Sequence, residues 1–243
     1  MNLSFESSPQ IVMSKWTQEE FTEQLRQVGG RRYHDRHPFH IRMNSGELAR
    51  DEVQCWVANR FYYQKSIPIK DAVLLSRCPV RDVRRHWVQR IVDHDGTDSE
   101  PGGIEKWLRL GEGVGLSRDD LEVDRLLLPA VRYAVDAYVQ FVSTRPWLEG
   151  VASSLTELFA PRLMKDRLAA FEQHYEWIDR ESLAYFRSRP PLAARDSEHG
   201  LATVHRYCDT HEQQQAAVAA LDFKCDVLWA QLDAIHHHCQ QLP

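Results

Sequence analysis

The 243-residue sequence has no run approaching the roughly 18 consecutive apolar residues that a membrane-crossing helix requires. Basic residues are not in excess: 30 Lys and Arg stand against 35 Asp and Glu, a formal net charge of −5. That balance argues against a surface built to grip nucleic-acid phosphates or anionic lipid. Glycine and proline, at 11 each, are too few for a fold of many tight turns. The five cysteines, Cys55, Cys78, Cys208, Cys225 and Cys239, are scattered, odd in number and free of any Cys-x-x-Cys. Neither a disulfide framework nor a zinc knuckle is indicated. Also missing are a phosphate-cradling Gly-rich loop and the Gly-x-Ser-x-Gly elbow, which removes the common signatures of nucleotide binding and serine hydrolysis. Residues 1–15 lack the basic and apolar regions of a secretory signal and read as a loose leader, to a protein of the reducing cytoplasm.

What is present is a folded-protein composition, 43% hydrophobic and 27% charged, with apolar residues at helical spacing almost throughout. Thr17 to Glu20 is a capping box, and Gly29-Gly30 marks the end of the helix it opens. From Glu47 to Cys78 the rhythm predicts two helices divided at Pro68. Val80 to His94 forms another, closed by Gly96, followed by Gly102 to Leu110 and a short helix opened by a capping box at Ser117. Leu128 to Phe159 is apolar on nearly every side and interrupted at Pro146, as the centre of a bundle would be. Leu163 to Ser188, closed by Pro190-Pro191, then Ala193 to Cys208 and Glu212 to His238, complete the count. No segment alternates with period two, and no repeat or linker divides the chain. Residues 16–243 therefore read as one all-helical domain, a bundle.

Polar groups set inside these apolar helices are the informative feature, because burying one without a partner costs several kcal/mol. Arg60 and Gln64 share a helical face, with Tyr63 adjacent; Arg90 and His94 share another, as do Tyr185 and Arg189, and Lys224 interrupts an apolar stretch. Each cation alone fits an ion pair or a side chain reaching solvent along its own stem. Together they ask for more counter-charge than the apolar centre offers, Glu157 being its main carboxylate, and so suit an anionic ligand gripped by guanidinium forks. His94, beside Asp93 and Asp95, is placed either as a helix cap or as a base titrating near neutrality. His34, His37 and His40 recur every third residue and His236 to His238 run together, but no Glu-x-x-His is present to suggest a di-iron bundle. Cys78 and Cys225 are nucleophile candidates that equally suit inert buried thiols.

Read as a set, WVANRFYYQ (56–64), IPIKDA (67–72), WVQRIVDHDG (87–96), GGIEKWLRLGEGVGL (102–116), AVDAYV (134–139), SSLTELFAP (153–161), YFRSR (185–189) and EHGLA (198–202) resemble the pyrroloquinoline-quinone synthase (PqqC) family over residues 16 to 236. The resemblance implies an all-α, compact seven-helix bundle, six helices around a central one, of the haem-oxygenase/TenA-like kind, normally a homodimer. It implies the last step of pyrroloquinoline quinone (PQQ) formation: ring closure and eight-electron oxidation of a bicyclic polycarboxylate quinone precursor by O2, releasing H2O2, with no metal and no organic cofactor.

Matched position by position, the resemblance places His94, Tyr185 and Arg189 in catalytic roles. His94 is the principal base, and Tyr185 and Arg189 close over the substrate and polarise oxygen or peroxide. It places Tyr33, His34, Arg60, Tyr63, Gln64, Lys70, Arg90, Tyr138, Glu157, Met164, Arg167 and Lys224 around the ligand, the cations anchoring carboxylates and quinone oxygens. One position departs. In Pro161-Arg162-Leu163-Met164-Lys165-Asp166-Arg167-Leu168, Met164 stands where the family has a histidine, and a thioether cannot exchange protons. Either His94 and Tyr185 suffice, or the chain is a divergent relative that binds PQQ or its precursor with partial or no turnover.

Overall fold

Among the described residues eleven α-helices follow one another. They are α1 (Gln18–Arg32), α2 (Pro38–Asn44), α3 (Arg50–Arg77), α4 (Arg81–Asp95), α5 (Gly103–Gly113), α6 (Arg118–Glu122), α7 (Pro129–Thr144), α8 (Trp147–Ser153), α9 (Ala160–His174), α10 (Ala184–Tyr207) and α11 (His211–Cys239). Single 3-10 turns cover His34–Arg36, Ser154–Leu158 and Arg180–Leu183. The computed structural model describes residues 14–241, so the leader expected over 1–15 lies, through residue 13, outside the described residues. Among the described residues there is no strand, only an isolated bridge between Gly96 and Pro101, and no helix is long and apolar enough to cross a membrane. The all-helical bundle expected from the sequence is present. Its helix count rises because α2, α6 and α8 are short separate elements.

The middle of the bundle is the segment 147–158. Gly150 to Thr156 are all buried, and the segment packs against α3, α7, α9, α10 and α11. The apolar stretch read as one central helix from Leu128 to Phe159 thus divides at Pro146. α7 is one-sided, with Val131, Val135, Tyr138 and Val142 inward and Tyr133 exposed, whereas α8 and its 3-10 turn have no outer face. Small residues, Gly150, Ala152, Ser153 and Ser154, let five helices approach this segment closely.

Several predicted boundaries move. Proline does not stop α3 at Pro68 or α10 at Pro190-Pro191, although each removes a backbone donor and ordinarily kinks a helix. Both helices are clamped along their length by neighbours, and that packing outweighs the lost hydrogen bonds. The helix expected over 163–188 is instead α9, a loop anchored by buried Tyr175 and Ile178, a 3-10 turn capped by the Asp179 carboxylate, and the start of α10. Gly29 does not end α1. A Cβ there would lie 2.1 Å from Cζ of Phe159, so glycine is needed for the ring to pack. The Thr17–Glu20 capping box forms, with Glu20 N–H donating to Thr17 Oγ1 at 3.2 Å and Thr17 N–H to Glu20 Oε2 at 2.8 Å. Ser117 makes no side-chain cap.

Candidate active site

An interior cavity of ≈ 30 Å³, room for about one or two water molecules, lies among α3, the segment 147–158, α9, α10 and α11. Tyr33, His34, Arg60, Tyr63, Glu157, Met164, Tyr185 and Arg189 line it, together with Ile67, Thr156, Ala160 and Leu228. An aromatic floor holds Tyr185 in place. Its ring meets Trp107 edge-on at 4.9 Å, Trp107 meets Trp56 at 5.5 Å, and Phe186 packs on Phe171 at 5.5 Å. Burial raises the Tyr185 phenol, which stays protonated and donates to Gln64 Oε1 at 3.0 Å.

On one side of the cavity the charges are paired. Asp71, fully buried on α3, accepts from Trp87 Nε1 at 2.7 Å, from Arg90 Nε at 3.2 Å and from the neighbouring Lys70 ammonium. Burial pushes its carboxyl up, but Arg90 and Lys70 outweigh this and hold it down at about 2. Arg90 also reaches Asp196 Oδ2 at 2.7 Å and Glu157 Oε1 at 3.4 Å; Arg189 reaches the same Glu157 oxygen at 2.5 Å and Asp196 at 3.4 Å. Lys70 donates to Ser154 Oγ at 2.9 Å as well. Three cations thus meet three carboxylates. The expectation that the helices bring too little counter-charge fails here, because Asp71 and Asp196, on α3 and α10, were not counted.

On the other side they are not paired. Lys224 is 1% exposed, its Nζ has no hydrogen-bond partner, and it sits 3.5 Å from the centre of the Tyr138 ring and 4.1 Å from that of Tyr63. Burial and the charges of Arg60 and Lys70 push its ammonium well below the usual lysine range. Arg167, 1% exposed, hydrogen-bonds only to the His40 ring, at 3.0 Å, lies over the Trp56 ring at 4.9 Å, and leaves its Nε unpartnered; burial and Arg60 disfavour its charged form. Arg60, half-buried, lies over the Tyr63 ring at 3.9 Å. The His34 and His40 rings meet at a tilt, their centres 4.8 Å apart, and burial and the surrounding cations keep both neutral. An unpaired buried charge costs several kcal/mol, and an anion placed here would recover it.

His94 is buried, with Nδ1–H donating to the Arg90 carbonyl at 2.8 Å, a bond that fixes the tautomer and leaves Nε2 as the basic nitrogen. Burial and Arg189 hold its imidazole down at about 4 rather than near neutrality. It stands behind the cavity wall, as do Gln64, Lys70, Arg90, Tyr138, Arg167 and Lys224, each touching or facing a lining residue or that residue's partner. All fifteen expected positions therefore lie in one connected cluster. Among the early histidines, His37 turns away toward Asp233 at 3.0 Å and Trp229. Among the described residues no three His, Cys, Asp or Glu side chains gather as a metal would need. Sequence reasoning overlooked Asp71, Trp87, Asp196 and His40. The criterion that singled out Arg60 and Lys224, a charge within an apolar helix, applies equally to Asp71.

The description of the TENA/THI-4/PQQC family matches residues 22–234. Proteins named pyrroloquinoline-quinone synthase from Klebsiella pneumoniae and Cronobacter sakazakii are 53% and 55% identical, over 93% and 90% of this chain and 89% and 87% of theirs. Among solved structures, a domain with a heme oxygenase-like fold from Shewanella denitrificans superposes with a TM-score of 0.72 at 14% identity, covering 91% of each chain. A TenA homologue from Pseudomonas syringae does so with 0.71 at 12% identity, covering 92% of each.

Proposed function

The chain belongs to the TENA/THI-4/PQQC family, and we propose that it catalyses the last step of PQQ biosynthesis, closing the third ring on a bicyclic quinone precursor and removing eight electrons with O2, with release of H2O2. It works without metal or organic cofactor, as a cytoplasmic homodimer. The observation that carries this reading is the pair of buried, uncompensated cations, Lys224 between the Tyr63 and Tyr138 rings and Arg167 over Trp56, with Arg60 beside them on Tyr63. A planar polycarboxylate matches that arrangement, its carboxylates supplying the missing charge. The synthase name carried by relatives at 53% to 55% identity supports the same assignment.

In this reading His94 takes protons from the precursor's C–H and N–H groups through Nε2. The imidazole is neutral and its lone pair free, and a bound polyanion, by compensating Arg189 and Arg90, raises its basicity toward the working pH. Tyr185, a protonated phenol, and Arg189, held by Glu157 and Asp196, stand at the cavity to hydrogen-bond the oxygen or peroxide species as charge develops on it. The aromatic floor keeps water out. Drug-sized ligands occupy roughly 300 Å³ or more, so substrate binding requires a wall of this cavity to move.

Met164 lines the cavity and is nearly fully buried, which favours a second reading: a binder of PQQ or its precursor with partial or no turnover. One experiment separates the two. Protein is mixed anaerobically with the ring-open precursor, air is admitted, and quinone absorbance and peroxide are followed. Formation of both supports the synthase. Tight binding without oxidation, with turnover appearing in Met164→His, supports the binder.

A further inference from the structure

We propose that the hollow between the end of α1 and the start of α9 is the route by which the anionic substrate reaches the cavity, with Phe159 as its gate and three arginines as its collecting charge. This rests on the functional reading above for the identity of the ligand and goes beyond it in assigning a second site. The hollow encloses ≈ 280 Å³ against ≈ 30 Å³ for the cavity, and Tyr33 lines both. A single side-chain layer separates them. Phe159 packs on Tyr33 with ring centres 5.1 Å apart and occupies the notch left by the missing side chain of Gly29. Next to it Gly30 is exposed and a Cβ there would meet nothing within 4 Å, so the hollow is open to solvent on that side.

Phe159 is suited to move. It joins the 3-10 turn to α9, is half-buried, and has no side-chain hydrogen bond to break. Rotation of this ring away from Gly29 joins the two spaces without disturbing the paired charges beyond. The rim is basic although the chain as a whole is acidic: Arg26, Arg36 and Arg162 are exposed around it, with Asp35 as the carboxylate among them. A local positive funnel on a protein of net charge −5 concentrates a polycarboxylate at that point and raises its association rate in a salt-dependent way. The same cations lie too far out to hold the ligand once it is seated, so they act on arrival rather than on affinity for the closed complex.

The test is stopped-flow binding of PQQ itself, read by quenching of tryptophan fluorescence, in wild type and in the double variant Arg36→Glu with Arg162→Glu. The expected result is an association rate lower by roughly tenfold at low salt, with the salt dependence flattened and the dissociation rate little changed. Phe159→Ala is expected to raise both rates, since the gate is gone. An unchanged association rate and salt slope in the charge-reversed protein overturns the route. Failure of wild type to bind PQQ at all overturns the functional reading, and this inference with it.

Discussion

Lys224 is the residue that most separates what this protein needs for stability from what it needs for its ligand. Its ammonium is buried between two tyrosine faces with no partner, an arrangement that costs folding energy unless an anion is bound. Lys224→Met keeps the volume and removes the charge. The ligand-free variant is expected to melt higher, by a few degrees for a gain of about 1 to 2 kcal/mol, while its affinity for PQQ falls at least tenfold. Differential scanning calorimetry with a PQQ titration checks both. His94 gives a pH signature of its own. A folded value of about 4 against an ordinary 6.5 means that the unfolded chain binds the extra proton first, so stability is lost as pH falls through that window. The shift corresponds to about 3 kcal/mol. Denaturant titrations at several pH values are expected to show a shallower acid limb in His94→Asn than in wild type; an unchanged limb rejects the assignment.

At the scale of elements, α4 and α10 are held to each other and to the 3-10 turn at 154–158 by Asp196 and Glu157, which share Arg90 and Arg189. Removing one carboxylate takes a shared partner from several guanidinium groups: Asp196 alone meets Arg90, Arg189 and Arg195. Asp196→Asn is expected to lose about 3 to 5 kcal/mol of stability by chemical denaturation, more than any single cation replacement at the unpaired side. α1 and α9 meet through a different device, the Phe159 ring against Gly29. Gly29→Ala overpacks that contact and is expected to cost about 1 to 3 kcal/mol, much of it recovered in the double variant with Phe159→Leu. The helices were legible in the sequence because their apolar periodicity is strong. Their ends were not where proline and glycine seemed to place them. Pro68, Pro190 and Gly29 are local stop signals, and each is overridden by a partner distant in sequence that no local reading supplies.

Over the whole molecule, net charge conceals the organisation that matters. The excess of five negative charges is compatible with five inward-facing cations, Lys70, Arg90, Arg167, Arg189 and Lys224, all buried, with Arg60 half-buried beside them. For Arg90, Arg189 and Lys224 this was legible from charges interrupting apolar faces; Lys70 and Arg167 were expected only from the family resemblance. Which of them are already neutralised was not legible, because Asp71 on α3 and Asp196 on α10 meet Arg90 on α4 only once the helices pack, and only the packed structure divides the cations into a paired, rigid group and an unpaired, ligand-seeking one. This division is the central claim, and proton linkage tests it most directly. PQQ is titrated calorimetrically at slightly alkaline pH in buffers of different ionisation enthalpy. Because Lys224 is pushed below its usual range and a bound carboxylate favours its charged form, binding is expected to take up protons, to weaken as pH rises further, and to lose that uptake in Lys224→Met. Tight binding with no proton uptake, equally strong in Lys224→Met, would contradict the account.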